Sequence, residues 1–154
     1  MSLKKGETVP SVNLWDKNGN VFNTDHFKGE KAFVIYFYPK NFTPGCTLEA
    51  CEFRDRYQEF KELGAEVIAI SSDSETSHTK FINKYSLPFI FLSDKNKEAR
   101  KTFGVQASLL GLIPGRETFI FDKNGSLRMR YNNMNASDHT AKALIKLKEL
   151  QDEI

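Results

Sequence analysis

Cys46 and Cys51 are the only thiols in the chain, and both fall in the short run from Pro39 to Cys51. Cysteine is often an inert, buried side chain, so two structural thiols are one reading of the pair. Their surroundings offer another. Cys46 follows Pro44 and Gly45 and stands where the pattern predicts the start of a helix. A helix N-terminus presents unpaired N–H groups and a partial positive charge, which favour thiolate over thiol, and the thiolate is the nucleophile. Pro44 and Gly45 permit a sharp turn that brings backbone amides close to a small substrate. Cys51 lies five residues further on. In an intact helix that spacing leaves the two Cα atoms ~8.7 Å apart, beyond the ~7 Å within which a disulfide forms. Bridging the two thiols would require the first turns to unwind, which predicts an element with two states. Other uses of the pair fit less well. A zinc site needs four ligands, and His26, His78 and His139 are scattered elsewhere. A thioredoxin-like dithiol has two residues between its cysteines, and here there are four.

The elements that must position this pair can be read from the hydrophobic pattern. Val12–Trp15 and Val21–Phe22 flank an Asn18-Gly19 turn, a hairpin signal. Ala32–Tyr38 is a continuous apolar and β-branched run halted by Pro39, the mark of a buried central strand. A helix is expected from Cys46 or Thr47 to Leu63, with Leu48, Cys51, Tyr57, Phe60 and Leu63 on its loosely periodic face and Gly64 as its stop. Strands are expected at Glu66–Ser71, Phe89–Leu92, Thr118–Phe121 and Leu127–Tyr131, the last two joined by a second Asn-Gly turn. Helices are expected at Glu75–Tyr85, Asn96–Phe103 and Ala141–Leu150, and a loop at Gln106–Gly115. Strands alternating with helices imply a three-layer α/β domain with a mixed sheet. Ligands in such sheets bind beyond the carboxyl ends of strands, and Cys46 lies just past the end of Ala32–Tyr38.

Composition limits the alternatives. The 154 residues suit a single domain, 1–154, able to bury a core without disulfide or metal staples. Hydrophobic residues at 40% and charged residues at 27% are ordinary values that exclude a disordered or fibrous chain. A net charge of +2 is too balanced to imply a nucleic-acid partner. The longest apolar run has seven residues, so no membrane span is expected. Met1–Pro10 is polar and lacks an apolar secretory segment, which predicts a cytoplasmic location. The 13 Phe imply an aromatic core, with Phe42 available to shield the thiolate from water.

With the residues laid out, a resemblance becomes specific. Pro39, Thr43 and Cys46 are spaced as in the active-site motif of peroxiredoxins. The fuller run from Tyr38 through Cys51 to Phe53-Arg54-Asp55 resembles the Q type, also called bacterioferritin comigratory protein or thiol peroxidase. Arg116-Glu117-Thr118-Phe119-Ile120-Phe121-Asp122-Lys123-Asn124-Gly125 resembles that family's second landmark, and the likeness extends from Gly6 to the final helix. Two departures are Asn41, where the family often has Asp, and the segment Asn132–Asp138.

The resemblance implies a thioredoxin-like α/β/α fold with an added N-terminal hairpin. It implies that Cys46 attacks the peroxide bond, that Cys51 resolves the resulting sulfenic acid to a disulfide, and that a thioredoxin-like dithiol restores both thiols. Thr43 would offer its hydroxyl to thiolate and peroxide. Arg116 would keep Cys46 ionised and stabilise charge on the peroxide oxygens, with Glu49 orienting it. No metal, haem or flavin is implied. Resolution within one chain, without a dedicated apolar interface, predicts a monomer. Taken singly these residues have plainer uses: Thr43 as a turn or cap residue, Arg116 as a surface charge, Glu49 as a first-turn carboxylate, and the three histidines as surface or structural groups. Two other functions compete with the peroxidase. One is a thiol–disulfide oxidoreductase; the other is a redox sensor or chaperone-like protein whose disulfide switch exposes a partner surface.

Overall fold

The computed structural model describes residues 3–107 and 113–153. The run Ala32–Phe37 forms β3, buried along nearly its whole length, and the strand gives way at Pro39, which has no N–H to offer a ladder. It pairs in parallel with β4 (Ala65–Ser71), and β4 in parallel with β5 (Ile90–Ser93). On its other side β3 pairs antiparallel with β6 (Glu117–Phe121), which pairs antiparallel with β7 (Leu127–Asn132). The N-terminal hairpin, β1 (Asn13–Trp15) and β2 (Val21–Asn23), joins antiparallel to β5. The described residues thus form a seven-stranded mixed sheet in the order β2-β1-β5-β4-β3-β6-β7. Both hairpin turns follow one recipe. Asp16 Oδ1 accepts from the N–H groups of Asn18 and Asn20, and Asp122 Oδ1 from those of Asn124 and Ser126. Gly19 and Gly125 supply the positive φ that each turn requires.

Alternation along the strands builds two cores. Val34, Tyr36 and Tyr38 face one cluster and Phe33, Ile35 and Phe37 the other. The first cluster is covered by α1 (Pro44–Asp55), α2 (Tyr57–Glu62), α3 (Glu75–Tyr85) and α5 (His139–Asp152). The second is covered by α4 (Glu98–Phe103) and the N-terminal chain around Leu3, Val9 and Val12. The three layers expected from the sequence are present, with one face much more thickly covered. No helix among the described residues is long and apolar enough to cross a membrane.

The single helix expected to Leu63 is two helices that meet at Arg56, which has φ −110° and ψ 11°. The inward face of α1 is Cys46, Glu49, Ala50 and Phe53, a regular i, i+3, i+4, i+7 stripe. The periodicity looked loose because Leu48, counted inward, is 49% exposed, while Glu49 occupies a core position. Part of the loop expected at 106–115 lies outside the described residues.

Candidate active site

The carboxyl end of β3 and the amino end of β6 lie side by side, since Phe37 pairs with Glu117. Arg116 therefore stands next to the loop that carries the chain from β3 into α1. That helix starts earlier than its hydrophobic pattern suggests, because Pro44 suits a first turn whose N–H groups are unpaired anyway. Thr43 is the N-cap residue, and its carbonyl accepts the first helical bond from Thr47 N–H at 2.9 Å. Cys46 is thus in the first turn, 2% exposed.

All three arms of Arg116 are engaged. Nη2 donates to Cys46 Sγ at 3.4 Å, Nη1 to Glu49 Oε1 at 2.6 Å and Nε to the Met134 carbonyl at 2.9 Å. A Cβ on Gly45 would stand 3.1 Å from Arg116 Nη2, so glycine leaves the guanidinium its present position beside the sulfur. Burial opposes the charge of Arg116, but Glu49 and Cys46 outweigh it and raise its affinity for the proton. Burial pushes the Glu49 carboxyl up to about 7 against the pull of Arg116. The phenols of Tyr36 and Tyr38 are raised well above their ordinary value, chiefly by burial, and stay protonated.

The Thr43 hydroxyl donates to the Lys40 carbonyl at 2.8 Å, and among the described residues no donor takes up its lone pairs. It borders an open hollow of about 480 Å³ shared with Pro39, Lys40, Asp73 and Pro114. Phe42, expected as a shield over the thiolate, instead packs edge-on to Phe81 with ring centroids 5.1 Å apart. It does so from a left-handed backbone, φ 67°, which a bulky residue seldom adopts. Cys51 stays apart from the Cys46–Arg116–Glu49 contact. Both cysteines are free thiols, so the disulfide of the sequence expectation is not formed here; the two lie in one intact helix at a spacing that forbids it.

Several side chains of the site escape sequence reasoning. His139 and His78 are fully buried. His139 Nδ1 lies 2.8 Å from Thr118 Oγ1 and 3.5 Å from Glu49 Oε2, and Nε2 lies 2.8 Å from the Asn133 carbonyl. Asn41 accepts from the Tyr38 hydroxyl at 2.6 Å and donates to His78 Nδ1 at 3.0 Å. Arg100, 8% exposed, donates to the carbonyls of Tyr38 and Gly115 and so pins the end of β3 to the segment before Arg116. These contacts join residues far apart in the chain, and no local pattern announces them.

The AhpC/TSA family profile matches residues 5–130. The chain is 49% identical to peroxiredoxin Q of Sedum lineare over 150 residues, which is 95% of this chain and 80% of that one. It is 48% identical to peroxiredoxin Q of Arabidopsis thaliana over 131 residues, covering 85% of this chain and 60% of that one. Several other plant relatives are likewise matched over about 60% of their length. The fold is similar to a peroxidoxin from Mycobacterium tuberculosis, with a TM-score of 0.87, 32% identity and 96% and 98% of the two chains covered. It is also similar to the bacterioferritin comigratory protein of Xanthomonas campestris, with a TM-score of 0.83, 28% identity and 91% and 92% coverage. The thioredoxin-like sheet with an added N-terminal hairpin, expected from the resemblance, holds.

The cytoplasmic expectation does not. The plant relatives are described as chloroplastic, which contradicts it. The expectation rested on Met1–Pro10, whose polarity speaks only against an apolar secretory segment and not against an organellar route. A buried first-turn cysteine held by the arginine that precedes β6, on a sheet of this order and with these relatives, has one origin: the chain belongs to the AhpC/TSA family and, within it, to the Q-type peroxiredoxins.

Proposed function

We propose that the chain is a thiol peroxidase in which Cys46 is the attacking thiolate and Cys51 the resolving thiol. The observation that carries this reading is the 3.4 Å approach of Arg116 Nη2 to Cys46 Sγ at the start of α1. The Cys46 sulfur attacks one peroxide oxygen, the O–O bond breaks, and the leaving oxygen departs with a proton as water or alcohol. Cys46 is left as a sulfenic acid. Arg116 and the first-turn amides of α1 stabilise the charge that spreads over the oxygens as the bond breaks. Thr43, whose hydroxyl borders the open hollow, orients the incoming peroxide. Glu49 holds the guanidinium in place from behind.

The Cys51 thiol then attacks the sulfenic sulfur, a disulfide forms and water leaves. Since α1 as folded keeps the two cysteines too far apart, this step needs its first turns to unwind and Cys46 to leave Arg116. A dithiol of the thioredoxin type returns both thiols by exchange. The cycle runs within one chain, and we assign it to a monomer. The Xanthomonas campestris protein is described as reducing alkyl peroxides; organic hydroperoxides join hydrogen peroxide as the proposed substrates here.

Peroxide consumption with a thioredoxin system as reductant tests the reading. Cys46→Ser is expected to abolish turnover, and Cys51→Ser to lose it with thioredoxin while retaining some with small thiols. A wild-type chain that forms the disulfide without turning over peroxide would move the function to sensing, the use that a locally unwinding α1 would equally serve. Migration as a dimer in solution in both redox states would overturn the monomer.

A further inference from the structure

Among the described residues, Glu49 Oε2 is buried and has no hydrogen-bond partner, although Oε1 of the same carboxyl receives Arg116. The atom facing it is His139 Nδ1, 3.5 Å away. The tautomer of that ring follows from its other nitrogen. Nε2 lies 2.8 Å from the Asn133 carbonyl, which can only accept, so Nε2 carries the hydrogen. Nδ1 of the neutral ring is then a lone pair, and it accepts from the Thr118 hydroxyl at 2.8 Å. With Glu49 ionised, two acceptors face each other inside the protein with no hydrogen between them, an arrangement that costs free energy. One proton resolves it. Placed on Oε2 it donates to Nδ1, and the Thr118 hydroxyl, a rotor, turns aside. Placed on Nδ1 it donates to Oε2.

We propose that Glu49 and His139 hold one exchangeable proton between Oε2 and Nδ1, and that its presence sets the net charge behind Arg116 and thereby the thiolate fraction of Cys46. The inference rests on the reading of Cys46 as the reactive thiol. Without the proton, Glu49 and Arg116 cancel. With it, one positive charge remains uncompensated beside the sulfur, and thiolate is favoured. By linkage the thiolate in turn favours the proton. The other groups facing the pair are few. Glu49 meets Arg116 from the segment before β6, Glu52 from its own helix, the Tyr36 phenol from β3 and the Tyr38 phenol just beyond that strand. His139 meets Arg116, Asp138 beside it and the Tyr131 ring from β7. Burial raises the Glu49 carboxyl and lowers His139, so the held proton resides mainly on Glu49. His139 is a positioning residue: it acts through Glu49 and Arg116 and does not contact the sulfur.

The test is a pH titration of the thiolate ultraviolet absorbance in a Cys51→Ser background, where Cys46 is the single thiol. His139→Gln keeps an N–H for the Asn133 carbonyl but places nothing titratable opposite Oε2. Its thiolate absorbance on the acid limb is expected to fall to roughly a tenth of the parent's. Glu49→Gln keeps an acceptor for Arg116 and points an amide N–H at Nδ1, mimicking the held proton. Its curve is expected to move the opposite way. A purely structural role for both residues would displace both curves in one direction. Such a result, or a curve that His139→Gln leaves unmoved, overturns the proposal. If His139→Gln does not fold, the infrared band of a protonated carboxyl in the wild type decides: present below neutrality and absent in Glu49→Gln supports the pair, and absent throughout overturns it. The titration consumes no peroxide. Opposite displacements in a chain without turnover would keep the proton pair and discard the peroxidase.

Discussion

On the α3 side of the Cys46 loop, the Tyr38 hydroxyl donates to Asn41, the Asn41 amide donates to Ser77 and His78 Nδ1, and the His78 ring reaches the Leu92 carbonyl. On the α5 side, Arg116, Glu49, His139 and Thr118 form a second buried chain. Each is built round a fully buried histidine. The first closes on itself and leaves none of these side-chain atoms without a partner. The second ends at Glu49 Oε2, which has none. The first network fixes the loop between β3 and α1 in place. The second meets the sulfur and carries a charge imbalance that can be changed. Satisfaction marks scaffold; the orphaned Glu49 Oε2 marks the side of the site where protonation has consequences.

The comparison breaks most severely at Arg116. Arg116→Met strands a buried carboxylate and leaves Cys46 without its cation. It is expected to lower kcat/KM for peroxide by about two to three orders of magnitude, as removal of one charge-stabilising donor does. It is also expected to destabilise the fold by about 3–5 kcal/mol. Steady-state peroxide assays and a urea unfolding midpoint measure the two effects.

The next effect separates the networks by pH. The folded-state affinity of Glu49 for its proton is raised, from 4.5 to about 7. A carboxyl so raised adds stability that is complete below its unfolded value and is lost as pH climbs through the folded one. Relative to Glu49→Gln, the wild type is therefore expected to lose about 3 kcal/mol between pH 4.5 and pH 7. Denaturant unfolding across that range checks it. The closed network has the opposite sign, since burial lowers His78: its stability is complete above pH 6.5 and falls as acid forces the ring to charge. Asn41→Ala then sharpens the contrast at neutral pH. It takes away the 2.6 Å acceptor of the Tyr38 hydroxyl and the 3.0 Å donor to His78 Nδ1, leaves the two only their mutual 3.5 Å approach, and is expected to cost about 2 kcal/mol by the same unfolding measurement.

The layer order and the cysteine pair were legible because they are local. A β-branched run, two Asn-Gly turns and a Pro-Gly-Cys helix start are written in consecutive residues, as is the motif that ties Pro39, Thr43 and Cys46 together. Of the second network, Arg116 and Glu49 were expected through the family resemblance alone, and His139 and Thr118 were not legible. Glu49 belongs to the inward stripe of α1, but a carboxylate in that stripe reads as polar and blurs the period. His139 and Thr118 come from α5 and β6, and only the antiparallel pairing of β3 with β6 brings them behind α1. Asn41, which the sequence marks only as a departure from the family, is the centre of the closed network, a role that depends on His78 from another helix.

The smallest change is the most discriminating. Gly45 touches neither histidine, but a Cβ there would stand 3.1 Å from Arg116 Nη2. Its backbone is not left-handed, and it sits in the first turn of α1, where alanine is the better helix former by up to about 1 kcal/mol. Gly45→Ala thus sets a small local gain against a displacement of the guanidinium by a few tenths of an ångström. The expected unfolding midpoint is close to that of the wild type, and the first network stays closed. Peroxide turnover is expected to fall about three- to tenfold, because the donor moves off the line it must hold toward the reacting sulfur. Stability and turnover falling together would mean that Gly45 serves the helix. Turnover falling alone would assign the cost to the position of Arg116, the one contact that the open network and the sulfur share.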